Sequence, residues 1–133
     1  MIIIGEKING AIPSIKQAIV EKNEALIIER TLAQAKAGAN FLDCAPSTAT
    51  DIEYDTMVWL IKLMQGAGRL IRTEQDTGVV SILDARAARS GAYHQRVRNA
   101  FNQYPLVHSV DEVRNFMSQV KTEEYMEGGK MVA

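Results

Sequence analysis

The sequence predicts an α/β protein: four βα units forming a small parallel sheet with helices on both faces, a three-layer sandwich. Three observations predict it. Short apolar runs alternate with longer stretches whose apolar residues recur at helical spacing, and that alternation is the signature of parallel strands joined by helices. Proline, glycine and capping residues fall between the runs. The chain has 133 residues, a length near the mode for one domain and too short for a closed eight-unit βα barrel of about 250 residues.

The elements follow in order. Ile2-Ile3-Ile4-Gly5-Glu6-Lys7-Ile8 reads as a buried strand closed by Gly10. Pro13 and Ser14 open a helix carrying Ile15, Ala18 and Ile19. A second helical stretch from Glu24 carries Leu26, Ile27, Ala33 and Ala37 and stops at Gly38. Asn40–Ala45 is the second strand, ended by Pro46. Ser47, Thr48 and Thr50 are N-cap candidates for a third helix, whose start is favoured by Asp51, Glu53 and Asp55. That helix carries Met57, Val58, Leu60, Ile61 and Met64 and is expected to run through Gly66 and Gly68 to Arg72. Gly78–Asp84 reads as the third strand, Ala92–Phe101 as a polar helix and Pro105–His108 as a short fourth strand. Ser109 caps a last helix with Val110, Val113, Phe116, Met117 and Val120 on one face, and the tail from Met126 frays. A flavodoxin-like (Rossmann-like) strand order 2-1-3-4 fits. Half of an eight-unit barrel is the alternative, at the cost of two long open edges and an uncovered face.

Composition bounds the function. Formal net charge is −1 and 47% of residues are hydrophobic, so disorder is excluded and no specific nucleic-acid partner is expected. No uncharged apolar run approaches the ~20 residues of a membrane span. A single cysteine, Cys44, forms no internal disulfide and fits a reducing cytoplasm. Its sequence surroundings carry no His or basic residue, so an inert thiol is expected. His94 and His108 lack companions at metal-ligand spacing, so no metal site is read. Trp59, beside Met57 and Leu60, is read as packing. An open sheet edge, or helices exposing Trp59 and Phe116, would favour a homo-oligomer.

Composition also changes along the chain. Residues 1–65 hold five Lys, one Arg, eleven Ile and two Val; residues 66–133 hold two Lys, seven Arg, two Ile and eight Val. These pairs are near-synonymous in a generic fold, so a fold alone does not require the switch, and two sources are indicated. No flexible linker separates the parts, and 1–133 is read as one domain.

Two resemblances match that division. Ile2–Gly10, with Asn40-Phe41-Leu42-Asp43 and Thr56–Leu60, resembles the N-terminal part of the pterin-binding methyltransferases, the methyltetrahydrofolate:corrinoid type, over about residues 1–65. The resemblance implies the first two βα units of a barrel, with Asn9 and Asp43 at the strand ends where pterin binds. This chain has Ala45 where the family usually has an Asn, and the later strands that supply further pterin ligands have no counterpart. Gln65-Gly66-Ala67-Gly68-Arg69-Leu70-Ile71-Arg72, followed by Gly78–Asp84, resembles motif VI of DinG-type ATP-dependent DNA helicases over about residues 65–120. That resemblance implies a nucleotide site of Gln65, Gly68, Arg69 and Arg72, in which the arginines reach the γ-phosphate and the glycine lets another backbone come close. The phosphate-cradling G-x-x-x-x-G-K-[ST] loop is absent. The expectation is therefore a chimera, engineered or selected for foldability, that folds as an α/β domain without natural catalytic activity or cofactor. Vestigial nucleotide or pterin binding are the alternatives.

Overall fold

A computed structural model describes residues 1–67 and 78–122. The order of elements is β1 (Ile4–Asn9), α1 (Pro13–Glu21), α2 (Glu24–Lys36), β2 (Phe41–Ala45), α3 (Thr50–Gly66), α4 (His94–Ala100) and α5 (Val110–Val120), with one turn of 3-10 helix at Ala85–Ala87. The chain divides into two compact units, Met1–Gly78 and Val79–Ala133.

The first unit is the α/β part. β1 and β2 pair in parallel, which requires a crossover, and α1 and α2 supply it. Asn40 starts the ladder: its Oδ1 accepts from Ile3 N at 2.8 Å and its own N–H donates to Ile3 O at 2.8 Å. Ile4 pairs with Phe41 and Gly5 with Leu42, then Ile8 with Cys44 and Asn9 with Ala45. Glu6 and Lys7 on β1 therefore stand opposite the single Asp43 on β2, a bulge. Gln34 on α2 serves that bulge, its Oε1 accepting from Lys7 N at 2.7 Å.

Pro13 starts α1, as its fixed φ and missing donor allow. Lys22 ends it in a left-handed conformation at φ 53°, and Asn23 at once caps α2 by accepting from Leu26 N. This one tight corner folds α2 back along α1. Lys22 Nζ lies 4.2 Å from the centroid of the Trp59 ring, and Trp59 Nε1 donates to Glu24 at 3.5 Å. Trp59 thus fastens α3 to the corner, the packing role its neighbours indicated.

The core is one cluster of Ile8, Ile15, Ala18, Ile19, Ile27, Leu60 and Met64. Each is the inward position its element's periodicity assigns. Thr31 is also buried, and its hydroxyl is satisfied by Ile27 O at 2.8 Å. The other face of the sheet carries Ile4 and Phe41, 56% and 61% exposed. Within the first unit the helices cover one face of a two-stranded sheet; the expected α/β character holds, but four βα units are not seen among the described residues.

The two missing strands have local reasons. Gly78–Asp84 has no regular structure. Its last residue, Asp84, turns the chain: the carboxylate accepts from Arg86 N at 2.8 Å and grips the Arg86 guanidinium at 2.6 Å. Pro105–His108 is likewise irregular. Pro105 brings no donor to a ladder, and His108 N already donates to Glu112 Oε2 at 2.9 Å.

The second unit is helical among its described residues, and none of those residues is buried. Gly91 stacks against the 3-10 turn so closely that a Cβ would strike Arg86 O, while Tyr93 N donates to that same carbonyl at 2.7 Å. The Arg86 guanidinium lies over the Tyr93 ring at 4.7 Å. Ser109 caps α5 as expected, accepting from Glu112 N.

Leu60 has no exposed surface. Leu60→Ala is expected to lower the stability of the first unit by about 2–5 kcal/mol, read as a fall in the urea midpoint; an unchanged midpoint would mean that this cluster is not the core.

Candidate functional site

The candidate site is the C-terminal end of the parallel pair, where such sheets present their loops. Side chains alternate along a strand. Ile8 and Cys44 are paired and face the helices, so Asn9, Asp43 and Ala45 share the opposite face. The structure therefore brings Asn9 and Asp43, the two residues singled out from the sequence, to one face of neighbouring strands. Asp43 is exposed there.

Asn9 is occupied by the loops themselves. Its Oδ1 accepts from Ala11 N at 2.9 Å and from Ser47 Oγ at 3.3 Å. Its carbonyl accepts from Ile12 N at 2.9 Å. Gly10 N donates to Ala45 O at 2.9 Å, extending the ladder one step past the strands. A Cβ on Gly10 would lie far inside van der Waals contact with the Pro46 carbonyl oxygen. Only glycine lets the β1–α1 loop press against the β2–α3 loop. Ser47 adopts φ 49°, an uncommon conformation for a side chain other than glycine, and it is held there by its bond to Asn9.

This arrangement corrects the capping assignment. Ser47 and Thr48 do not cap α3; its N-cap is Ala49, with no side-chain bond. Ser47 spends its hydroxyl on Asn9, and the Thr48 hydroxyl is buried with no hydrogen-bond partner. Asp51 and Glu53 do lie in the first turn, where their charges complement the helix dipole. Gly10, Pro46 and Ser47 were read from the sequence as element boundaries and a helix cap, not as parts of this site. The available signal was the glycine immediately after one strand and the proline immediately after the other.

Cys44 is a partly buried free thiol. Burial, with the Asp43 charge adding to it, pushes the thiol up from 9.0 to about 11. Its sulfur lies 3.7 Å from that of Met57. The thiol is protonated at neutral pH and is no nucleophile.

Of the second set of candidates, Gln65 lies in the last turn of α3 and is partly buried. Gly68, Arg69 and Arg72 lie outside the described residues, as does the expected extension of α3 to Arg72. His94 Nδ1 lies 3.2 Å from Ala87 O, a structural contact. Among the described residues no three His, Cys, Asp or Glu side chains gather as metal ligands would, and no helix is long and apolar enough to cross a membrane.

The fold and this site define a partial α/β protein, two strands and their helices, followed by a helical unit with a different composition. The family model for the helicase C-terminal domain matches residues 14–104, and the chain belongs to that family. The match reaches much closer to the N-terminus than the motif at Gln65–Arg72. A methylcorrinoid:tetrahydrofolate methyltransferase of Eubacterium limosum is 52% identical over 67 residues, 50% of this chain and 25% of that enzyme. The chain thus spans about a quarter of the length of that relative. Two partial similarities of unrelated kinds share one chain, as in a chimera.

Two outcomes are expected. Gly10→Ala should lower stability by about 1–3 kcal/mol, because the loops must part; a melt unchanged from the parent would contradict the close approach. Cys44 should react negligibly with a thiol reagent at neutral pH and gain reactivity as pH rises toward about 11. The fold favours the protonated thiol, so the stability it contributes is complete below pH 9.0 and is lost as pH rises through about 11. Urea midpoints across that range check the sign.

Proposed function

We propose that the chain is a chimeric, folded α/β protein, engineered or selected for foldability, that carries out the catalysis of neither family it resembles. Asn9 carries this reading. In a pterin site its amide would be aimed at ligand; here its oxygen accepts from Ala11 N and Ser47 Oγ and joins two loops. Asp43 lies exposed on that face, and binding sites need several convergent groups. These 133 residues also carry no phosphate-cradling G-x-x-x-x-G-K-[ST] loop. On this reading Arg69 and Arg72 lack, within these residues, the loop that would present phosphates to them.

The test is a thermal melt of the protein alone, with ATP–Mg²⁺ and with methyltetrahydrofolate. A ligand held only by the folded state adds about 2.7 kcal/mol at one hundred times its dissociation constant. A cooperative melt moved by neither ligand is the expected result. A shift with methyltetrahydrofolate that Asp43→Ala removes would establish pterin binding instead. A shift with ATP–Mg²⁺ that the Arg69→Ala, Arg72→Ala pair removes would establish nucleotide binding. Either overturns the proposal.

A further inference from the structure

The chain has six asparagines, and only Asn9 is followed by glycine. That pair carries a chemistry of its own. The nitrogen of the residue after an asparagine can attack the carboxamide, and a glycine there has no Cβ to crowd the approach. The reaction needs only water. The Gly10 nitrogen gives up its proton and bonds to Asn9 Cγ; the Cγ–Nδ2 bond breaks and ammonia leaves, closing a succinimide ring. Water then opens the ring at one of its two carbonyls. Opening at the side-chain carbonyl leaves aspartate on an unaltered backbone. Opening at the main-chain carbonyl leaves isoaspartate, with one more methylene in the main chain.

The structure holds this reaction off. Gly10 is buried, and its N–H is donated to Ala45 O at 2.9 Å. A proton so held leaves only when the bond opens. The Pro46 carbonyl oxygen lies so close over Gly10 that a Cβ would strike it, so the Asn9–Gly10 peptide has no room to swing while the two loops touch. Asn9 itself is the last residue of β1, paired with Ala45. Its carboxamide oxygen is tied to Ala11 N at 2.9 Å and to Ser47 Oγ at 3.3 Å. Donors on that oxygen polarise the carboxamide for attack, but the polarisation is idle while the Gly10 nitrogen keeps its proton. The atom that attacks and the atom attacked are held by one clamp.

We propose that Asn9 is a deamidation site gated by the contact of the β1–α1 and β2–α3 loops. It is closed while Gly10 is seated against Pro46, and it reacts through local parting of the loops, not through unfolding of the whole unit. The two products then have different fates. Both bonds to the Asn9 side chain end on its oxygen, which a carboxylate also offers, so the aspartate product keeps the clamp. The isoaspartate product lengthens the main chain ahead of Gly10, which then no longer meets Ala45 O and Pro46 in register. For that product the opening of the loops is permanent.

Incubation of the whole chain in mildly alkaline buffer tests this, with the site located by peptide mapping and the two products separated by chromatography. In the folded chain Asn9 should convert at least about tenfold more slowly than in the same chain unfolded by urea, because the rate is scaled by the population of the open loop. Ser47→Ala removes one tie of the clamp and leaves the Asn-Gly pair intact. It should speed conversion in the folded chain about fivefold, the factor that one modest hydrogen bond is worth, and leave the rate in urea unchanged. Ile27→Val loosens the core away from the loops and should leave the folded rate unchanged. The isoaspartate product should melt below Asn9→Asp, which reproduces the aspartate product. Equal rates folded and in urea would overturn the inference. So would a folded rate unmoved by Ser47→Ala, a rise in Ile27→Val equal to that in Ser47→Ala, or an isoaspartate product that melts with Asn9→Asp.

Discussion

The first unit depends on one contact, that of Gly10 with the Pro46 carbonyl. Parallel strands do not share a hairpin, so nothing in the covalent chain holds β1 and β2 in register. At their N-terminal ends Asn40 bonds Ile3 through both side chain and backbone. At their C-terminal ends Gly10 donates to Ala45 O, and Asn9 reaches Ser47. Those two clamps fix the sheet that Ile8 needs for its burial. With Ile8 at 0% exposure, Ile15, Ile27 and Leu60 have a floor to pack against. The bulge at Glu6-Lys7 is tolerated because Gln34 meets the Lys7 N–H.

The clamp and the candidate site are made of the same atoms. The strand ends of an α/β sheet are where ligands are ordinarily received, and the loops there are free to specialise. In this chain the Asn9 oxygen and the Ser47 hydroxyl bond each other, and Ser47 takes an unusual backbone conformation to do so. A side chain committed to holding a loop is no longer available to a ligand without opening that loop. That is why likeness to a methyltransferase over 67 residues and membership of a helicase domain family do not by themselves transfer a function. Function resides in complete constellations.

What the sequence revealed was the chemistry that acts over short distances. Pro13 opens α1, Gly38 follows α2 with φ 93°, Pro46 follows β2, and Ser109 caps α5; each acts within one turn of chain. Apolar spacing placed Ile15, Ile27, Leu60 and Met64 inward for the same reason. The strands expected at Gly78–Asp84 and Pro105–His108 were misread because a strand exists only when another strand completes it. Val79, Val80 and Ile82 suit a sheet, but the Asp84–Arg86 pair bends the chain and Glu112 takes the His108 donor. Ser47 looked like a helix cap until a residue 38 positions away claimed its hydroxyl. The sequence set Asn9 and Asp43 only at the strand ends; their common face depends on the parallel register and the bulge within β1, neither of which is written in the local pattern. The role of Asn9 as a tie between loops was not visible, because it depends on Ser47 lying opposite.

The long crossover also sets the order in which the first unit forms. Ile3 and Asn40 are 37 positions apart, whereas α1 and α2 are separated by a two-residue corner. Closing a wide loop costs chain entropy before any strand pairing compensates it, and distant contacts slow folding. The Lys22–Asn23 corner shortens the effective distance by folding the two helices back on each other first. β1 can pair with β2 only once that crossover closes, and until then the backbone of Ile4–Asn9 has no ladder partner. Even in the folded unit Ile2, Ile3 and Ile4 keep 73%, 40% and 56% of their surface exposed, so what the corner makes possible is the pairing of the β1 backbone rather than the burial of these side chains.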